Sequence, residues 1–243
     1  MNTIYHRSSE QMSEVDDKCV DLIITSPPYN VGKEYENYED ILPFDDFRAM
    51  LKRVWKECYR VLAVGGRMCI NVGNTGYDPY IPLHSYVTLD MLEVGFKMRG
   101  EIIWQKDASR KRFVAWGSWL SPSNPIIRES HEYILLFSKE TLKLDKKEKT
   151  MSKPDFKEWT ESVWKMSPAS ARRIGHPAPF PIELPKRLIR LFSYEGAVVL
   201  DPFMGSGTTA VAAKALNRKY MGYEISKEYV ELSNGRLLQD YLW

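Results

Sequence analysis

The chain has 243 residues, of which 44% are apolar and 27% charged, with 34 Lys+Arg against 32 Asp+Glu. This is an ordinary globular composition, long enough to bury one large core and unlike a disordered or fibrous chain. Three cysteines without a C-x-x-C and four scattered histidines argue against a disulfide framework or a protein metal site. No apolar run approaches the ~20 residues a spanning helix needs, and the start, MNTIYHRSSEQ, lacks the layout of a signal peptide, so a soluble, cytoplasmic protein is expected. In chain order, Asp21 to Thr25 is a short apolar run broken by Ser26-Pro27-Pro28, a buried strand running into a loop. Phe44 to Leu62 carries Phe47, Leu51, Val54, Trp55 and Tyr59 at helical spacing and ends at Gly65-Gly66. Arg67 to Val72 reads as a strand, and His84 to Leu92 as a helix stopping near Gly95. Lys97 to Gln105 and Glu132 to Ser138 read as two strands joined by a polar, aromatic loop, whereas 139–165 is too charged to assign. Then come a helix over Leu184 to Phe192, a strand over Ala197 to Leu200, a helix over Thr208 to Leu216, a strand over Tyr220 to Tyr223 and a helix over Ser226 to Leu238. Strands alternating with helices predict an α/β fold with a mainly parallel sheet covered on both faces.

The near-zero net charge hides an asymmetry. Residues 97–190 hold 20 basic against 11 acidic side chains, whereas residues 1–96 hold 9 against 15. Lys106, Arg110, Lys111, Arg112, Arg172 and Arg173 fall in the dense basic patches, interleaved with Trp104, Phe113, Trp116, Trp119, Trp159 and Trp164. Basic groups neutralise phosphates and aromatic faces stack on bases, so this third of the chain is the candidate nucleic-acid surface.

Near the end, AVVLDPFMGSGTT places a strand, an acid, a glycine turn and a helix start in succession. Gly205-x-Gly207-x-x-Ala210 satisfies the loose G-x-G-x-x-G/A pattern, and no Lys-Ser/Thr pair makes it a P-loop. Asp201 at the strand end would repel a pyrophosphate but can pair with a cationic head or accept from hydroxyls. Glu224, ending the next strand, is placed to take the two hydroxyls of a ribose. Both acids suit S-adenosylmethionine, which has a ribose and an ammonium but no phosphate.

Near the start, Thr25-Ser26-Pro27-Pro28-Tyr29 follows a buried strand. Two prolines hold carbonyls rigidly without N–H groups of their own, Ser26 adds an acceptor and Tyr29 a flat face. Such a loop can grip an exocyclic amine, whose nitrogen is a poor nucleophile because its lone pair is delocalised into the ring. If its N–H bonds point at the Ser26 oxygen and the Pro27 carbonyl, the lone pair is freed toward a sulfonium methyl. Catalysis is then orientation and stabilisation of developing charge, on a base that has left the duplex to stack on Tyr29.

The pair SPPY and DPFMGSGTT resembles the amino-methylating DNA methyltransferases, and the order, target-amine loop first and cofactor loop last, resembles the beta arrangement of that family. Arg60 to Gly66, Ile102 to Lys106 and His131 to Lys139 resemble further segments of it. The resemblance implies a Rossmann-like, circularly permuted fold of seven strands with one antiparallel. It also implies a cofactor site built from His176, Pro177, Ala178, Phe180 and Pro181, from Asp201, Pro202, Phe203, Gly205, Ser206, Gly207 and Thr208, and from Glu224. The chain departs from the pattern at Ser8, where the family usually carries an Asp near the cofactor's adenine. The resemblance implies one catalytic domain over 1–243; the DNA-recognition insertions, which no motif carries over, are expected at roughly 106–130 and 139–173, where the basic and aromatic residues gather. The expected partner is double-stranded DNA, with room for a homodimer and a cognate restriction endonuclease. Ser26 at the head of the loop looks like the cytosine-N4 branch, although some adenine-N6 members share it. A nicotinamide dehydrogenase is disfavoured by Asp201, and RNA or protein-glutamine methyltransferases use a similar Pro-Pro-Tyr loop.

Overall fold

The computed structural model describes residues 1–32, 34–35, 38–39, 41–76, 78–106, 116–144, 148, 150–174 and 179–239. Its strands are β1 (Thr3–His6), β2 (Val20–Thr25), β3 (Glu34–Tyr35), β4 (Tyr38–Glu39), β5 (Leu62–Val72), β6 (Lys97–Lys106), β7 (His131–Ser138), β8 (Val163–Met166), β9 (Val198–Asp201) and β10 (Lys219–Glu224). Its helices are α1 (Phe44–Val61), α2 (Leu83–Val94), α3 (Lys153–Trp159), α4 (Ala171–Ile174), α5 (Glu183–Phe192), α6 (Thr208–Ala215) and α7 (Lys227–Leu238). The main sheet runs in the order β1-β10-β9-β2-β5-β7-β6-β8. Only β7 opposes its neighbours, β5 and β6, so the sheet is mixed with a single reversed strand.

The expected seven strands are eight. Neither β1 nor β8 was read from the sequence pattern; β8 lies in the charged stretch left unassigned and pairs parallel with the end of β6. Its two inward residues, Trp164 and Met166, are buried while Val163 and Lys165 face out. Four residues of alternation among lysines are too few to register as a strand pattern. β5 is also longer than expected, because it runs through Gly65-Gly66 instead of starting after them.

One face of the sheet packs α1 and α2 through Phe47, Leu51, Val54, Val87 and Met91. The other packs α5 and α6 through Leu184, Leu188, Ile189 and Ala212, together with Trp104, Trp159 and Trp164. Each such fully buried side chain contributes about 1.5–3 kcal/mol relative to exposure. Three of the six aromatics read as nucleic-acid contacts are thus core. Trp104 donates its indole N–H to the Met166 carbonyl at 3.0 Å, and Trp164 donates to Trp159 at 3.2 Å. A basic neighbourhood misled the reading, because Arg187 sits over both Trp159 and Trp164 and belongs to the fold.

Candidate active site

Parallel pairing decides where the two loops go. β2 lies beside β9, with Leu22 opposite Val199 and Ile23 opposite Leu200. Their carboxyl ends therefore emerge side by side, although nearly the whole chain separates them. β5 ends at the same edge, β6 reaches it at Lys106, and the reversed β7 begins there. A crevice outside the carboxyl ends of the strands is the usual ligand site of an open α/β sheet. A cavity of about 580 Å³ occupies it, and its lining includes Ser26, Pro27, Pro28 and Tyr29 on one side and Pro202, Phe203, Gly205, Ser206, Thr208 and Glu224 on the other. Phe180 lines it as well. His176, Pro177, Ala178, Arg110, Lys111, Arg112 and the side chain of Arg173 lie outside the described residues. Arg172 is exposed, next to Ala171 on the cavity rim.

Asp201, Gly207 and Pro181 are not part of the lining. Asp201 lies beneath it, 1% exposed. It accepts from the Thr25 hydroxyl at 2.7 Å, the Thr209 hydroxyl at 2.7 Å and the Phe203 N–H at 3.0 Å. Its hydroxyl partners are thus the protein's own: it ties the end of β2 to the glycine loop and the first turn of α6. Burial pushes its carboxyl up to about 6, against the pull of those three donors.

Glu224 does face the cavity. One oxygen accepts the Gly205 N–H at 2.8 Å and the other the Ser226 N–H at 2.9 Å. Burial pushes its carboxyl above the ordinary range, while the backbone N–H groups that donate to it pull the other way. Each oxygen has a second lone pair free for a ligand hydroxyl. The same contact tests what the loop can hold. In a phosphate-binding loop the backbone N–H groups are open to the anion. Here Gly205 already gives its N–H to a carboxylate, so that donor is not open to a pyrophosphate. The fit to S-adenosylmethionine holds, and the loop geometry disfavours a dinucleotide.

The loop is gripped from behind by α7: Ser233 donates to the Gly205 carbonyl at 2.7 Å and Arg236 to the Ser206 carbonyl at 2.5 Å. On the other side of the cavity the Ser26 and Tyr29 hydroxyls are 3.2 Å apart. Burial, and next the charge of Glu132, push the Tyr29 phenol well above its ordinary range.

Sequence reasoning missed Asn71 and Glu132, and read Lys106 as a DNA contact. All three line the cavity. Glu132 forms an ion pair with Lys106 and accepts from the Asn71 amide at 2.6 Å. Lys106 was read as a phosphate contact, yet it points inward over the Trp104 ring. Strand alternation held the signal: Ile102, Trp104 and Lys106 share one face of β6, and the first two are buried. The N-terminal segment also reaches the cavity through Arg7, Ser8, Ser9 and Glu10, so Ser8 stands at the site whose usual acid it lacks.

This fold and this cavity define an α/β enzyme of the S-adenosylmethionine-dependent methyltransferase class. A family described as DNA methylase matches residues 20–235, and the chain belongs to it. It is 34% identical to the type II methyltransferase M.MjaI of Methanocaldococcus jannaschii, over 90% of this chain and 85% of that protein. It is 29% identical to the DNA adenine methyltransferase YhdJ of Escherichia coli, over 97% of this chain and 82% of that protein. Among solved structures, the DNA modification methylase TTHA0409 of Thermus thermophilus, complexed with S-adenosyl-L-methionine, superposes with a TM-score of 0.79 at 30% identity, covering 98% of this chain and 93% of that one.

Proposed function

We propose that the chain is a site-specific DNA methyltransferase that transfers a methyl group to the cytosine N4 amine of a base turned out of the duplex. The observation that carries this reading is the shared cavity, with Ser26 and Tyr29 on one wall and Gly205 and Glu224 on the other. S-adenosylmethionine, when bound, supplies an electrophilic sulfonium methyl. Glu224 holds its ribose hydroxyls, and the 202–208 loop with Pro179 and Phe180 encloses the rest. The Ser26 oxygen and the Pro27 carbonyl accept the two N–H bonds of the amine, which pulls the nitrogen toward tetrahedral geometry and frees its lone pair. Tyr29 flanks the base. Ser26 at the head of the loop favours cytosine. The similarity to YhdJ across nearly the full chain favours the second reading, adenine N6.

The likeness to a type II methyltransferase supports a modification role beside a cognate restriction endonuclease. One catalytic domain with DNA-reading insertions remains the organisation we infer. Burial of Trp104, Trp159 and Trp164 narrows the reading surface toward 116–130 and Arg172. The test is to methylate unmodified DNA with labelled cofactor, digest it and identify the nucleoside. N4-methylcytosine is expected. N6-methyladenine would select the second reading, and label found only in RNA or protein would overturn both.

A further inference from the structure

We propose that Glu132, acting through Tyr29, is the positioning residue that makes Ser26 a hydrogen-bond acceptor for the target amine; this deepens the reading above and rests on it. A serine hydroxyl can donate or accept. If Ser26 aimed its proton into the cavity, that proton would face the N–H it is meant to receive. The Ser26–Tyr29 contact alone does not set the direction, since either oxygen can donate.

The other neighbours of the Tyr29 oxygen set it. Its hydroxyl reaches the Glu132 carboxylate at 3.4 Å and the Asn71 main-chain carbonyl at 3.5 Å, neither of which has a proton to give, while the Asn71 side-chain amide, also at 3.5 Å, donates to one of its two lone pairs and leaves the other for Ser26. The phenol has one proton and spends it there. Its lone pair then takes the Ser26 proton, and the Ser26 lone pairs are left facing the cavity. One Glu132 oxygen pairs with the Lys106 ammonium and the other accepts from the Asn71 amide. The buried phenol keeps its proton, because burial pushes it well above its ordinary range. The polarity of the chain thus runs from Ser26 to Tyr29 to Glu132, with Lys106 and Asn71 as anchors.

Replacing the carboxylate by an amide tests this. In Glu132→Gln, Lys106 still demands the oxygen, so the NH2 group turns toward Asn71 and Tyr29. A donor then meets the phenol oxygen, Tyr29 donates to Ser26 and the Ser26 proton swings into the cavity. The experiment follows labelled methyl transfer to DNA by the full chain and by Glu132→Gln, Tyr29→Phe and the double variant. Cofactor affinity is measured by calorimetry. Each single variant is expected to lower kcat by about tenfold or more, with the cofactor Kd and the KM for DNA within about twofold of wild type. The double variant is expected to be no slower than the slower single, because one break disables the chain. Wild-type kcat in Glu132→Gln, or a double variant slower by the product of the two single losses, would overturn the inference. Should Glu132→Gln not fold, Tyr29→Phe decides, since it keeps the ring and lacks only the hydroxyl: full kcat overturns the inference and a loss in kcat alone supports it. A wild-type chain that methylates no DNA amine would overturn the proposed function, whereas an active wild type with an unimpaired Glu132→Gln would overturn this inference alone.

Discussion

Asp201 combines near-complete burial with three donors and a carboxyl pushed up to about 6 from an ordinary 3.8. The folded chain therefore keeps a proton between about pH 4 and 6 that the unfolded chain has lost. The stability that this protonated group contributes is full below about pH 4 and declines as the pH rises to about 6, by on the order of 2–3 kcal/mol. Asp201→Asn should remove that decline, and should raise unfolding free energy at neutral pH relative to wild type. The amide oxygen can still take the Thr25 hydroxyl and the Phe203 N–H, and the Thr209 hydroxyl can turn to accept. Denaturant unfolding of both proteins at pH 4.5 and pH 7 checks this, and parallel pH dependences would contradict it. Asp201→Ala instead strands three donors and opens a void, so it is expected to cost about 2–4 kcal/mol and to weaken cofactor binding through the displaced loop. The sequence placed Asp201 at the end of a strand, just before the glycine turn. It could not show that its partners are Thr25 and Thr209, because that depends on the register of β2 against β9.

The same register explains, at the level of elements, how much of the site was legible. The helices over 44–61, 83–94, 183–192, 208–215 and 227–238 fall within a residue or two of the bounds read from the sequence; α1 and α5 bury one apolar stripe each, whereas α6 buries Thr208 to Ala213 all round. Both loops were recognisable as motifs, and strand alternation in β6 pointed Lys106 inward. The Lys106–Glu132 pair was not legible, for it needs β6 and β7 aligned with Trp104 opposite Glu132, so that Lys106 reaches it diagonally on the same face. Another such interlock is that of α6 with α7 behind the cofactor loop. Gly207, the residue before α6, has φ +78°, and a Cβ there would lie 2.9 Å from Ser233 of α7. Gly207→Ala should destabilise the fold by roughly 1–3 kcal/mol, from backbone strain and overpacking, and should lower cofactor affinity as the loop shifts. Gly235→Ala is the internal contrast. It sits within α7 with open space around its Cβ position, so it should gain about 0.5–1 kcal/mol and leave affinity unchanged. Thermal unfolding and calorimetry of the two variants separate these outcomes; equal behaviour would mean that α7 does not grip the loop.

For the molecule as a whole, charge and topology converge on one edge of the sheet. The connection from β6 to β7 leaves and re-enters at the edge that holds the cavity, where the Lys106 N–H donates to the Ser130 carbonyl at 2.8 Å, and its described part is 116–130. It is among the most exposed apolar surfaces in the structure: Trp119 is 63% exposed, Leu120 87% and Ile127 84%. Trp116 packs edge-on against Trp119, and the Arg128 guanidinium lies 3.9 Å from the Trp116 ring. This arrangement costs solvation in the free protein and offers stacking faces and a cation to a nucleic acid. An excess of basic over acidic residues across 97–190, 20 against 11, supplies the wider attraction. Two variants then make different predictions. Arg128→Ala should weaken DNA binding on all sequences alike and reduce the slope of log affinity against log salt by about one, the share of one phosphate contact. Trp119→Ala should weaken binding by about 1–3 kcal/mol while leaving the salt slope unchanged, because stacking releases no counterion. Neither should alter cofactor affinity, since both side chains lie outside the cavity lining. Fluorescence anisotropy titrations of duplex DNA across a salt series measure both quantities at once. An unchanged affinity and slope in both variants would move the DNA-reading surface away from this loop, toward the rim at Arg172.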